Sequence, residues 1–350
     1  MPDPVILGSQ ALTLRDTAEA ARDKSGNLKA NILDLVSEEN GCMDDAKFIE
    51  ADNGDKLSTD FLNDIPHGEW VALDEGVKAK KTGFSVAWDA CGRIKGRVQI
   101  GAELYEKTKQ KEALVARHVR AHSEGLKEDV ADAFFYGNIK NEPKKFNGLS
   151  TFYDAYGTSL TPRSNFAHTV ISAGKGSNGA TTSSSALRSI WLVGWGDNGI
   201  IGFYPEGSKT AGLTTSPMER VPLISDDGKL TWVMSQEIVW EVGLAVRNFQ
   251  KAGRICNFQL DTALAAGYDD DLVKHLRHLR TRVKSNGVSQ AFYMDGPTWE
   301  IVEDTMAHLT QSNAIKYADA QQTQPKSFWG IPVKLCDCLG TNEAAVSAVA

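Results

Sequence analysis

Trp191 to Leu213 reads WLVGWGDNGIIGFYPEGSKTAGL, and this stretch decides the fold. It begins apolar and aromatic, turns through Gly-rich and Pro-containing segments, and ends polar. No cluster of titratable side chains interrupts it. That is the texture of a packed β-region with surface loops rather than of a catalytic pocket.

Downstream, Leu230–Val246 alternates. Trp232, Met234, Ile238, Trp240, Val242, Leu244 and Val246 share one face of an extended chain, and Glu237, Glu241 and Arg247 lie opposite. The run exceeds the usual ~5–6 residues of a strand, so it must bend or change partner. Upstream, residues 66–100 read as a long hairpin. Glu69–Leu73 enters and Phe84–Trp88 begins the return; Ile94, Gly96, Val98 and Ile100 then alternate with Lys95, Arg97 and Gln99. The tip, Asp74–Gly83, holds too few large apolar residues for a core of its own. It carries Lys78, Lys80 and Lys81, like charges that repel one another and would gain from an acidic neighbour. These lysines are the candidate inter-subunit contact.

Glu103–Tyr136 reads as one helix. Val115, Val119, His122, Leu126, Val130 and Phe134 recur at spacings of three or four and draw a narrow stripe. At ~1.5 Å per residue it would span about 50 Å. Gly125 is its candidate bend or break. A second helix is marked by Leu272, Val273, Leu276, Leu279 and Val283, behind an Asp269–Asp271 run that suits a helix N-terminus. Trp299, Val302, Met306 and Leu309 mark a third, with Pro297 in its first turn. Phe328–Val333 reads as the last strand, residues 174–185 as a mobile loop, and residues 1 to about 45 as a polar, Ala-rich arm that folds only against neighbours. There is no internal repeat. The sum is a mixed α+β architecture.

The 350 residues suffice for one large domain or two ordinary ones. A formal net charge of −7 gives no support for gripping nucleic acid, which calls for a basic stripe. No apolar run approaches the ~20 residues of a membrane-spanning helix, and the N-terminus lacks the pattern of a secretory signal. Cys42, Cys91, Cys256, Cys336 and Cys338 are an odd set in a long chain, which predicts reduced thiols in a cytosolic setting.

Three motifs invite chemistry, and each has a plainer reading. Gly174-x-Gly176-x-x-Gly179 matches the dinucleotide fingerprint by letter, but a Thr/Ser run follows where an amphipathic helix is needed. A nicotinamide-dependent oxidoreductase rests on this motif alone. His118 and His122 stand four apart, yet the run His-Val-Arg-Ala-His lacks the Glu of a metalloprotease and adds two arginines that repel a dication. Cys336-Asp337-Cys338 could chelate, but no second Cys/His pair has zinc-site spacing, so a small apolar role is favoured. The Asp269–Asp271 run lacks the spaced ligands and Gly of a calcium loop. No Gly-x-Ser-x-Gly elbow and no His-Glu-x-x-His occurs. The reading is no catalytic residue, no cofactor and no metal.

What remains to explain is structural. A projecting hairpin, a loose arm and a thinly amphipathic helix cannot bury their apolar faces alone, and an oligomer supplies the missing surface. The motifs sharpen this. Trp191–Trp195, then Gly202–Ser208, Lys209 and Gly212-Leu213, resemble consecutive motifs of tailed-bacteriophage major capsid proteins. So do Phe135-Tyr136-Gly137-Asn138 followed by Lys145-Phe146-Asn147-Gly148-Leu149, and Trp240–Leu260, WEVGLAVRNFQKAGRICNFQL. The resemblance runs from near Ile32 to about Cys338, with the motifs in family order.

It implies an HK97-type α+β fold with an N-terminal arm (1–60), an extended E-loop (61–102) that lies over an adjacent subunit, a P-domain (103–155 and 296–350) holding the spine helix 103–136, and an A-domain (156–295). Trp191, Trp195 and Trp240 would form the A-domain core. The implied function is a subunit of an icosahedral shell around double-stranded DNA, built of hexamers and pentamers. The implied partners are itself, a scaffolding protein, a portal protein and possible decoration proteins, in the virion and, during assembly, the host cytoplasm. An encapsulin-like nanocompartment shell shares the fold and is the nearest alternative.

Overall fold

The structure is a computed structural model and describes residues 40–62, 67–73, 75–81, 83–157, 166–176, 186–224, 230–266, 269–308, 315–317, 325–340 and 342–349. The arm before residue 40, Gly179 with most of the 174–185 loop, and Leu309 lie outside the described residues.

In chain order the strands are β1 (Phe48–Glu50), β2 (Lys56–Leu62), β3 (Phe84–Ala90), β4 (Gly92–Gly101), β5 (Ala155–Tyr156), β6 (Val170–Ser172), β7 (Leu187–Trp195), β8 (Ile200–Tyr204) and β9 (Leu213–Thr215). They continue with β10 (Glu219–Ile224), β11 (Leu230–Val246), β12 (Ala252–Gln259), β13 (Ser289–Met294), β14 (Ile315–Tyr317), β15 (Pro325–Phe328), β16 (Ile331–Leu335) and β17 (Ser347–Ala348). The helices are α1 (Gly41–Asp45), α2 (Ala102–Lys107), α3 (Lys111–Tyr136), α4 (Leu149–Phe152), α5 (Leu260–Ala266), α6 (Asp270–Arg282) and α7 (Gly296–His308). The chain forms two compact units, to both of which α3 and β11 contribute.

The larger unit comprises Glu38–Gly92, Val130–Ala211 and Val242–Ala350. Its centre is β7, the strand that opens the decisive stretch. β7 pairs antiparallel with β12 on one side and with β13 on the other, so both of its edges are consumed. Beyond β13 lies parallel β16, and beyond β12 lies parallel β6. β8 pairs with the end of β11 and carries β1 in parallel. A strand covered on both faces needs a continuous apolar run rather than alternation, and β7 and β12 are buried almost throughout.

One face is filled by Ile190, Leu192, Ile255, Phe258 and Phe292 against Leu272, Leu276 and Leu279 of α6 and Trp299 and Val302 of α7. The acidic run caps α6 as its sequence suggests: the Asp269 side chain accepts from Asp271 N–H, and Arg280 and Arg282 stand in the last turn. The other face meets the end of α3. Phe135 packs on Trp191 at 5.8 Å between centroids, and Phe134 on Trp195 at 6.2 Å.

The Phe-Tyr-Gly-Asn motif has a physical cause. A Cβ on Gly137 would sit 2.4 Å from the Phe146 carbonyl oxygen, and one on Gly148 2.5 Å from that of Ala133. Gly148 N–H donates to the Gly137 carbonyl at 2.8 Å. Two backbones can touch in this way only where neither residue has a side chain.

The smaller unit comprises Arg93–Asp129 and Gly212–Glu241 among the described residues. β11 pairs here with β10, β9 and β4. Val98, Ile100 and Ile238 pack with Leu126 and, less deeply, with Leu114, Val115 and Val119 of α3. The opposite side of β4 is solvent-facing, with Lys95 paired to Glu237 at 3.1 Å and Arg93 to Glu241 at 3.0 Å.

Several expectations change. The predicted 103–136 helix is two helices, broken at 108–110, where Thr108 is extended and its hydroxyl donates to the Leu104 carbonyl. Gly125 does not break α3. His122 is exposed, so the stripe passes beside it. The entering strand of the hairpin is Lys56–Leu62, in register with Phe84–Ala90; Glu69–Leu73 is not a strand. Phe328–Val333 is a hairpin rather than one strand, because Trp329 and Gly330 both take positive φ and set Phe328 opposite Ile331. β11 does change partner along its length. Its first half alternates the other way from the reading, with Val233 buried and Trp232 exposed.

Candidate functional site

The candidate site is a surface, and it starts from the β2–β3 hairpin of the larger unit. Between β2 and β3 the described tip residues form no strand, and among the described residues nothing covers their apolar side chains. Trp70 is 104% exposed and Leu73 is 97% exposed, and Val77 is exposed as well. Burying a tryptophan of ~200 Å² at a contact is worth about 5 kcal/mol before the costs of association. Large apolar side chains held this far into water mark a contact surface rather than ordinary scatter.

The tip is ordered by its own polar contacts. Lys80 Nζ lies 3.0 Å from Glu69 Oε1 and donates to the His67 carbonyl at 2.9 Å. Ala72 N–H donates to Glu75 Oε2 at 2.9 Å. Lys78, Lys80 and Lys81 are all exposed. Asp74 and Glu75 are the acids nearest the lysines along the chain, and the fold also brings Glu69 across to Lys80. A second apolar surface belongs to the smaller unit, where Ile224, Leu230 and Trp232 of the β10–β11 hairpin are exposed and the Arg220 guanidinium lies 5.1 Å from the Trp232 ring centroid.

Of the three core tryptophans, Trp191 and Trp195 are sealed from water and lie in the larger unit. Trp195 Nε1–H donates to Tyr293 Oη at 2.8 Å, and Tyr293 donates to Asp45 Oδ2 at 2.5 Å. Trp240 is half-buried, in the smaller unit, opposite Leu213 of β9.

Of the residues weighed for chemistry, Cys336 and Cys338 come together, with their sulfurs 3.4 Å apart. His118 is half-buried and His122 exposed on α3. Burial holds His118 below the usual histidine pKa, helped by Arg117 and His122. Gly174 follows β6 beside an open hollow of about 700 Å³ that Lys175, His275 and Arg282 also line. Among the described residues, the metal-capable cluster of His, Cys, Asp or Glu side chains is Cys42, Cys336 and Cys338. Sequence spacing could not supply the first of these.

In the larger unit a central sheet is packed between helices, and its β2–β3 hairpin presents an exposed apolar tip, the frame of a subunit with a surface left for contact. The chain belongs to the family described as major capsid protein GP7, whose model matches residues 23–347. It is a major capsid protein: it assembles with copies of itself into the shell and is a component of the phage virion. Among solved structures it is similar to a bacteriophage Epsilon15 structure from cryo-EM, with a TM-score of 0.72 and 19% identity over 99% of this chain and 100% of that one. That likeness establishes the fold. Mycobacterium phage Adephagia (TM-score 0.44, 8% identity, 70% of this chain and 97% of that one) and the SrpI encapsulin complex of Synechococcus elongatus PCC 7942 (0.40, 13%, 71% and 97%) are more distant. A search of curated protein sequences finds no match. No helix among the described residues is long and apolar enough to cross a membrane.

Proposed function

We propose that this subunit closes into a shell around a double-stranded DNA genome, guided by a scaffolding protein and interrupted at one vertex by a portal. The observation that carries the reading is the hairpin tip, where Trp70 and Leu73 stand wholly in water. In an isolated subunit they are a liability. In a shell every copy can set its tip on a neighbour, and the gain is repeated at each contact. In this reading the described start of the chain belongs to the arm 1–60, the hairpin to the E-loop 61–102, α3 and α7 to the P-domain (103–155 and 296–350), and β7, β12 and α6 to the A-domain (156–295). Assembly takes place in the host cytoplasm. The work is summed binding energy, with no bond-making chemistry and no cofactor. The formal net charge of −7 suits an interior that encloses DNA without gripping it.

The content of purified particles tests this reading. Nuclease-resistant DNA inside particles from infected or induced cells is the expected result. Particles filled instead with a defined cargo protein and free of DNA would transfer the chain to the nanocompartment class.

A further inference from the structure

Cys42 of α1 and Cys336 and Cys338, just beyond β16, bring their thiols together although 294 positions separate the first two. Cys336 Sγ lies 3.3 Å from Cys42 Sγ and 3.4 Å from Cys338 Sγ. All three side chains are buried, all are free thiols, and their sulfurs lie within 4.8 Å of one another. Sulfurs bound tetrahedrally at ~2.3 Å to zinc stand about 3.8 Å apart. Two edges of the observed triangle fall about 0.5 Å or less short of that spacing, and the third is within 4.8 Å. An oxygen stands beside it: Asn40 Oδ1 is 3.5 Å from Cys336 Sγ and accepts from Cys338 N–H at 3.2 Å. The Asn40 amide is buried and its Nδ2 has no hydrogen-bond partner among the described residues. Among the described residues the side chain is thus held through its oxygen alone.

The apolar-filler reading suits Cys256, which sits singly in β12 with its thiol pushed up to about 12 chiefly by burial. It does not account for three of five cysteines converging from two ends of the chain. A buried cluster of soft sulfur donors selects a thiophilic ion over a hard one. We propose that Cys42, Cys336 and Cys338 bind one Zn(II) ion through three thiolates, with the Asn40 amide oxygen or a water at the fourth corner. Binding displaces the thiol protons, so affinity rises with pH. The ion ties the 40–45 segment to the last strands of the larger unit, beside the Asn40–Cys336 bridge and the Lys334–Asp45 ion pair at 2.7 Å. It reverses the expectation from sequence that this chain holds no metal, and it stands apart from the shell function.

The test uses the full chain, purified under reducing conditions without chelator. Elemental analysis should find about one zinc per chain. After stripping, titration with Co(II) should raise a near-ultraviolet thiolate-to-cobalt charge-transfer band. Cys338→Ser should weaken that band and lower Co(II) affinity at least ~10-fold, while Cys91→Ser leaves both unchanged. Folded wild-type protein with only background metal and no band overturns the proposal. So does a band that survives replacement of all three cysteines by Ser. The wild-type arms decide the matter even where a serine variant does not fold.

Discussion

Arg254 and Glu343 form a buried ion pair, with Nη2 2.5 Å from Oε2 and both side chains almost fully withdrawn from water. The pair joins the middle of β12 to the segment that precedes β17. It is fully furnished: Arg254 Nε donates to Ser189 Oγ and Nη1 to the Tyr153 carbonyl, while Glu343 accepts from the hydroxyls of Tyr136 and Ser189. The guanidinium also lies 5.1 Å from the Trp191 ring centroid. Two charges brought out of water at this cost stabilise little as a pair, but removing one strands the other. Glu343→Ala should therefore lower subunit stability by about 3–5 kcal/mol in denaturant unfolding. Arg254→Met with Glu343→Leu should recover much of the loss. A single substitution costing under about 1 kcal/mol would show that the pair is solvated.

The tryptophans give a graded test. Trp191→Ala opens a cavity under Phe135 and Tyr153 and should cost about 3–5 kcal/mol. Trp240→Ala removes a half-buried ring at a β9–β11 pairing and should cost clearly less. Equal losses would contradict the burial difference between the two sites.

Much of this was legible in the chain. The apolar run at Trp191–Trp195, the Asp269 cap, the α6 stripe and the length of β11 all follow from local spacing, because each reflects contacts of one element with one layer. What was not legible depends on distant partners. Asn257 takes a positive φ at a bulge in β12 and clamps Val346 through both of its amide atoms, a role no local pattern announces. Glu69 reaches Lys80 only because the tip folds back. Cys42 meets Cys336 only because α1 lies against β16. Trp240 carries the same alternation as its neighbours, yet alternation does not state how deeply a face is covered.

At the hairpin tip, Trp70→Glu should leave the subunit folded, since the side chain is fully exposed, and should block or weaken assembly. Lys78→Glu, Lys80→Glu and Lys81→Glu together should weaken assembly at low salt and less at 1 M, where the Debye length is ~3 Å. The Lys80 change also breaks the Glu69 contact, so Lys78→Glu with Lys81→Glu isolates the neighbour contact from the tip's own order. Wild-type particle yields from these variants at low salt would remove the tip from the interface.

Asp89, on β3, is pushed up to about 6 by burial. Its folded pKa then lies above the ordinary carboxylate value near 4, so the folded state binds the proton more tightly. The penalty for burying its charge is complete above about pH 6 and fades as pH falls toward about 4. Asp89→Asn should therefore be the more stable protein at pH 7 and should converge with wild type near pH 4. A stability difference that does not change between those values would contradict the assignment.

The central claim is that this chain is a subunit of a closed shell. Cryo-EM imaging of the protein, expressed with the proposed scaffolding protein and purified, tests it most directly. Closed particles of icosahedral symmetry, with each β2–β3 hairpin tip seated on a neighbouring subunit, are the expected result. Folded monomers or dimers that never close at high concentration with scaffolding protein supplied would contradict it.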